Sequence, residues 1–499
     1  MLSKTRSVAV LGMDAHPVEV EVALAGGLPD FQIVGLPDQA VREARKRVKS
    51  AVENSQELWP QKKITVNLAP GDLRKEGPMF DLPVAVAVVA AQEGRKFKHL
   101  SSYFLIGELA LDGRLRPVRG ALAAALAARE SGAEGILLPK ENMGEAALVR
   151  GIKVIGANNL FEALSFLGGL LEIPSHEPVN PAQFEPSVAG PDLQDVRGQA
   201  VARRALEIAA AGGHNVLLVG PPGCGKTMLA RRLPGILPPL TNEEMLEATH
   251  VWSVAGLLGP AHPVVTERPF RSPHHHASAA AVIGGGHPVP KPGEASLAHL
   301  GVLFMDELPL FSQMVLESLR QPLEEGFVSV ARQAACVRFP SRFCLVGAAN
   351  PCLCGRLSDP RRICSCPPGR LDSYRSRLSG PLLDRIDLHV EVPLLTHSEL
   401  LEIEPSEPSA KVRERVIAAR QFRAERPQLE SQKNSDLMAL DASVRRFLSI
   451  ALAHDRSSAR AVARALNVAR SIADLEGSLA VTEAHVAEAL QFRRSVWDS

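Results

Sequence analysis

The sequence predicts an α/β protein of several domains, with a parallel sheet in the middle of the chain and a helical end. Three stretches predict the sheet. Val216–Val219 runs into Gly220-Pro-Pro-Gly-Cys-Gly-Lys-Thr227, Val302–Met305 ends in Asp306-Glu307, and Cys344–Ala349 ends in Asn350. Short unbroken apolar runs stopped by turn residues are the pattern of strands buried on both faces. In an open sheet of that kind, ligands bind beyond the carboxyl ends of the strands, which is where all three runs place their polar residues. A chain of 499 residues exceeds one ordinary domain, and its length suggests about three.

Residues 1–171 alternate β-rich runs (Ser7–Leu11, Val18–Ala25, Gln32–Gly35, Ile64–Leu68) with alanine-rich helical segments (Gln39–Glu53, Ala121–Ser131), which predicts a compact α/β or α+β domain. In the first of these helices Ala40, Ala44, Val48 and Val52 oppose Arg42, Arg45, Lys46, Arg47 and Lys49. A solvated helix face is the default reading of those charges, and a polyanion contact is the alternative. Residues 172–191 are proline-rich and aperiodic, a stiffened linker. From 192 to 395 the periodicity returns with Asp195-Val-Arg-Gly-Gln199, an alanine-rich helix to Ala211 and the three strands above. Residues 396–499 read as helices over Ala410–Arg426, Asp441–His454, Ser458–Glu476 and Thr482–Trp497, broken by a loop at Pro427–Asn434. Thr482 is a candidate N-cap. This part has the character of a helical lid.

Net charge is +1, so any nucleic-acid surface must come from local clustering or from assembly. The seven cysteines are unevenly spread, against a secreted disulfide scaffold and for a reducing compartment. Met1–Leu11 lacks the apolar core of a signal peptide, and the longest apolar run, Leu82–Ala91, is too short to cross a bilayer. The expectation is a soluble cytoplasmic protein without a membrane partner.

Gly220–Thr227 is a complete G-x-x-x-x-G-K-[ST] pattern between a strand and a helix. Gly220, Pro221, Pro222, Gly223, Cys224 and Gly225 would wrap their backbone round the phosphates of ATP, and the helix entered through Lys226, Thr227 and Met228 would add its positive end. Lys226 would reach the β- and γ-phosphates, and Thr227 would hold Mg²⁺. Asp306 would hold the hydrated Mg²⁺, Glu307 would polarise the attacking water, and Asn350 would position that water or the γ-phosphate. A glycine-rich turn is the competing reading, and it does not account for three strand ends carrying these groups in this order.

Cys352, Cys354, Cys364 and Cys366 form C-x-C-x₉-C-x-C. Four thiolates on a Pro/Gly-rich loop can close a tetrahedral structural Zn²⁺ site, the alternative being reduced, unliganded thiols. His274, His275 and His276 have no acid or cysteine at ligand spacing, so a pore or DNA-contacting loop is favoured over metal, with structural hydrogen bonding open for each. A hairpin of Phe327–Arg332 with Val337–Arg342 would carry Arg332 and Arg338. Between Gly355 and Arg385 there are seven arginines against three aspartates, which suits phosphate contact without sequence preference. With only two tyrosines and three tryptophans, base stacking is not expected to carry recognition.

These motifs in this order resemble the AAA+ ATPases. Asp195–Gln199, Arg268-Pro-Phe-Arg-Ser-Pro-His-His275, Pro292-Gly-Glu-Ala-Ser-Leu-Ala-His299 and Leu378-Ser-Gly-Pro-Leu-Leu-Asp-Arg-Ile-Asp-Leu-His389 narrow the resemblance to the magnesium-chelatase-like branch and its bacterial competence proteins. The resemblance covers essentially the whole chain. It implies a homo-oligomeric ring, a hexamer, with ATP between subunits. Arg385 matches the family's trans-acting arginine finger and Arg460 its lid sensor, with Arg464 one turn further on. For either, a helix-surface ion pair is the alternative. The first domain resembles the Lon protease fold. Gly77-Pro-Met79-Phe-Asp-Leu82 lies where the proteases carry their serine, and Gly113–Ala128, where they carry their lysine, has none. Without nucleophile or base, peptide cleavage cannot run, so the domain is expected to be inactive and to build the ring or touch DNA. The implied activity is ATP hydrolysis driving branch migration on single-stranded and branched DNA in natural transformation. The rival is a chelatase motor subunit that remodels a partner protein.

Overall fold

The structure, a computed structural model, describes residues 1–92, 97–177, 190–286, 289–332, 336–357, 362–378, 380–395, 406–425, 441–453 and 459–493. The Pro427–Asn434 loop and most of the proline-rich linker lie outside the described residues.

The first sheet has seven strands in the order Asp30–Val34, Lys63–Ala69, Asp14–Ala25, Leu2–Leu11, Tyr103–Leu105, Gly135–Pro139, Lys153–Ala157. Leu2–Leu11 and Asp14–Ala25 form an antiparallel hairpin longer than either expected window, while the last three strands run parallel. Val18, Val20, Val22 and Leu24 alternate inward along the second strand, the period that keeps one face on a core. The helix Gln39–Asn54 starts at Asp38, whose carboxylate accepts from Val41 N at 2.8 Å. It buries Val41, Ala44, Val48 and Val52 and leaves Arg42, Arg45, Lys46 and Lys49 exposed, as a solvated face requires. Arg47 departs from that face: it turns inward to Asp81 at 2.7 Å. Burial pushes the Asp81 carboxyl up to about 6 although Arg47 opposes the shift. The apolar run at Leu82 is the helix Asp81–Ala90, buried on nearly every side.

The second sheet has five parallel strands in the order Phe270–Arg271, Val302–Met305, Cys344–Ala349, Val216–Val219, Leu388–Glu391. Its strands serve two cores by simple alternation. Val216 and Leu218 face one core, shared with the helix Ala200–Gly212, and Leu217 and Val219 face the other, shared with Phe311, Val328 and Phe339. That double burial is why these strands read as uninterrupted apolar runs. Helices Ser409–Glu425, Ala442–Ala453, Ala459–Leu475 and Glu483–Gln491 follow, and their Val412, Val416, Val468, Ile472 and Val486 enter the first of those cores. The last helix opens on Thr482 in a capping box with His485 and ends at Gln491, and positions 494–497 of the expected helix lie outside the described residues. Phe327–Ala331 pairs antiparallel with Cys336–Pro340, and Val337 of this hairpin packs on Gly12 at the tip of the first sheet's hairpin.

Candidate active site

Val219 delivers the chain to Gly220 at the carboxyl edge of the second sheet, beside the end of Cys344–Ala349. Gly223 and Gly225 take φ of 83° and 97°, so the loop can wind with its backbone turned inward, and a Cβ at either would meet nothing within 4 Å. That open space above the loop is where a phosphate chain would lie. Lys226 opens the helix Lys226–Ala230 and is buried. Its Nζ donates to Gly220 O at 2.6 Å, Pro221 O at 3.0 Å and Asn350 Oδ1 at 3.1 Å, so the sequence-distant Asn350 and the loop lysine share one point. Thr227 Oγ1 donates to Asp306 Oδ2 at 3.0 Å, which joins the two oxygen donors a hydrated Mg²⁺ needs. Cys224 is buried, and burial raises its thiol pKa: it fills space rather than reacts.

Glu307 follows Asp306 in the left-handed region, at φ 52°, a costly backbone for a non-glycine residue and one that concentrates at working sites. Its carboxylate is 44% exposed and lies 3.3 Å from His275 Nδ1. Spacing along the chain hides this contact. Strand register explains it: Arg271 pairs with Leu303, and four residues further on in each chain segment stand His275 and Glu307. His275 thus belongs to the acidic strand end, although its sequence context favours a DNA-contacting loop. His274 stacks on it with ring centroids 4.2 Å apart.

Beside the loop lies a cavity of about 330 Å³ whose lining includes Val196, Gln199, Met228, Leu394 and Leu395. Apolar walls with few polar groups suit a nucleobase and sugar. Gln199, also at a positive φ, donates through Nε2 to Pro393 O at 2.7 Å and to Cys224 O at 3.4 Å, and so ties both walls together.

Arg385 stands at the opposite end of the sheet. It precedes the strand Leu388–Glu391, and its carbonyl accepts from Asn215, the residue before Val216. The phosphate loop is reached only after the length of a four-residue strand, about 13 Å. Arg385 is buried and bonds to Glu324 and Pro381 O of its own chain, an ion pair like the one open from sequence. Arg464 bonds Asp387 at 2.7 Å, and Ser471 on the same helix contacts His214 at 2.8 Å, so that helix too lies at the far end. Arg460 is in its first turn, with its side chain outside the described residues.

The four cysteines converge. Their sulfurs all lie within 4.8 Å of one another, and none is in a disulfide. Arg332, Arg338, Arg356, Arg362, Arg370 and Arg377 are exposed, with Arg338 over the Phe327 ring at 4.9 Å. In the first domain Met79 and Phe80 are buried where the proteases carry their nucleophile. Among the described residues no helix is long and apolar enough to cross a membrane.

Comparison with known proteins agrees with this geometry. Family models described as magnesium chelatase, subunit ChlI, match residues 192–400 and 20–142, and a model of the ChlI C-terminal part matches 406–493. Competence protein ComM of Haemophilus influenzae is 44% identical over 498 residues, 98% of this chain and 97% of the relative. The Escherichia coli protein YifB is 44% identical over 498 residues, 99% and 97% of the two chains. A Lon protease of Finegoldia magna is 28% identical over 130 residues, 25% of this chain and 16% of the protease. With its parallel nucleotide sheet, Lon-like front and helical end, the chain belongs to the magnesium-chelatase-like family of AAA+ ATPases, in the group that contains ComM and YifB.

Proposed function

We propose that the protein is a hexameric, ATP-driven DNA motor that moves branched junctions during the uptake and integration of single strands, and that it works in the cytoplasm. One observation supports the ring above others: Lys226, Thr227, Asp306, Glu307 and Asn350 converge on one edge of the sheet, while Arg385 and the helix of Arg460 lie at the other. Arg385 is bound to Glu324 of its own chain at the end away from the phosphate loop, which supports a reading in which a second copy supplies the arginine that completes each site. Arg385 suits that part because a guanidinium is permanently charged and can bond two phosphate oxygens at once.

Mg²⁺-bound ATP supplies the phosphoanhydride whose cleavage drives the cycle. Lys226 would exchange its carbonyl partners for phosphate oxygens, Thr227 and Asp306 would hold the metal, and Glu307 would take a proton from water with His275 beside its carboxylate. The cofactor set also includes one Zn²⁺ in the four-cysteine loop. Residues 1–171 form the inactive Lon-like part of the ring, 172–191 the linker, 192–395 the motor core and 396–499 the helical domain, whose described helices pack on one face of its sheet.

DNA as the substrate is supported by the similarity to a competence protein and by the exposed arginines on the hairpin and on the cysteine loop, repeated by every subunit. The test is ATPase rate with and without branched DNA. Stimulation supports a DNA motor, whereas a rate indifferent to DNA in an active oligomer favours remodelling of a protein.

A further inference from the structure

The described residues between Cys352 and Cys366 have little of what ordinarily holds a loop. Among the described residues there is no regular secondary structure between Ala349 and Pro368, and three of the loop's large apolar side chains point outward: Ile363 is 92% exposed, Leu353 49% and Leu357 38%. Apolar burial therefore does not fix its shape. The thiols do converge. Cys352 and Cys354 sulfurs are 3.3 Å apart, and Cys364 lies 3.6 Å from each of them. Sulfurs on a tetrahedral zinc with bonds of 2.3 Å are about 3.8 Å apart, so the spacing is near that of four ligands round one ion.

Both ends of this loop are fastened to the nucleotide site. Cys352 is fully buried two residues after Asn350, the partner of Lys226. Past Cys366 the chain enters the helix Pro368–Arg375, whose buried Tyr374 returns to donate its hydroxyl to Asn350 O at 3.1 Å. Between the cysteine pairs, Gly355 at φ 72° lies flat on the phosphate loop, since a Cβ there would stand 2.5 Å from Pro222 Cδ. The geometry points to a zinc-held brace: the ion in Cys352, Cys354, Cys364 and Cys366 fixes the backbone that positions Asn350 and supports Pro222, so that nucleotide turnover depends on a metal that touches no nucleotide. This rests on the zinc reading above and adds the coupling to it. These four cysteines are positioning residues. The binding is a ligand exchange in which zinc replaces the thiol protons and water takes them up.

The full chain, purified without a histidine tag, is analysed for metal and expected to carry one zinc per chain. Stripping zinc, or the pair Cys354→Ser and Cys364→Ser, should lower kcat for ATP by roughly ten- to a hundredfold, the scale on which small displacements of catalytic groups act. Amide exchange should rise over 350–374 and over Gly220–Thr227 while the first sheet stays protected. Restoring zinc to the stripped wild type should recover both. Gly355→Ala should keep its zinc and still weaken nucleotide binding, because it pushes on Pro222. Protein that carries no zinc and takes none up overturns the metal itself. Zinc at one per chain whose removal leaves kcat, KM and exchange at Gly220–Thr227 unchanged overturns the brace and leaves a merely structural ion.

Discussion

Replacing His275 with alanine isolates the contact that the sequence gives least sign of. His275 Nδ1 stands 3.3 Å from Glu307 Oε2, and Glu307 is 44% exposed. A partly exposed pair of this kind contributes up to about 1 kcal/mol. About 1 kcal/mol in the transition state is roughly fivefold in rate. His275→Ala should therefore lower kcat by up to about fivefold with KM for ATP unchanged, because His275 touches the carboxylate and not the phosphate loop. Glu307→Gln alone should cost roughly a hundredfold or more, the usual worth of a general base. The double variant should be no slower than Glu307→Gln, since His275 has nothing to aim once the base is gone. Steady-state phosphate release across ATP concentrations measures all four proteins. Multiplying losses in the double variant, or an unchanged kcat in His275→Ala, would refute the reasoning.

Two further outcomes follow from the same geometry. Mixing inactive Arg385→Ala chains with inactive Lys226→Ala chains should restore part of the ATPase activity, because some interfaces then pair an intact loop with an intact arginine; no recovery in demonstrably mixed rings counts against a role across subunits. Burial, aided by Arg342, pushes the His299 imidazole from 6.5 down to about 4 against the pull of Glu247. The unfolded chain then takes up its proton first as pH falls, so this contribution is complete above 6.5 and is lost between 6.5 and about 4, at up to about 1.4 kcal/mol per pH unit. Denaturant midpoints at pH 7 and pH 5 should converge in His299→Gln relative to wild type, and an identical pH dependence would exclude His299 as the source.

The three strand ends of the nucleotide sheet are legible in sequence because strands buried on both faces leave short, unbroken apolar runs, each stopped by its polar residue. The His275–Glu307 contact is not, because it depends on the register of Phe270–Arg271 against Val302–Met305, and a two-residue edge strand leaves no pattern of its own. Arg47 reads as one of five charges on a helix face, and only the tertiary position of Asp81 turns it inward. Tyr103–Leu105, Gly135–Pro139 and Lys153–Ala157 are likewise hidden, being three to five residues long and buried throughout or nearly so, without alternation. The cysteine pattern shows the thiols but not their attachment to Asn350 and Pro222, which passes through Tyr374 and Gly355.

The central claim is motion on DNA driven by the site at Gly220–Thr227. A labelled three- or four-strand junction incubated with the oligomeric protein and ATP measures it most directly, across low salt concentrations because phosphate contacts weaken steeply with salt. Wild type should convert the junction to exchanged products, and Glu307→Gln should bind the same junction with ATP and leave it unmoved. A wild-type oligomer that hydrolyses ATP yet neither binds nor resolves the junction would contradict the account and leave remodelling of a protein partner as the better reading.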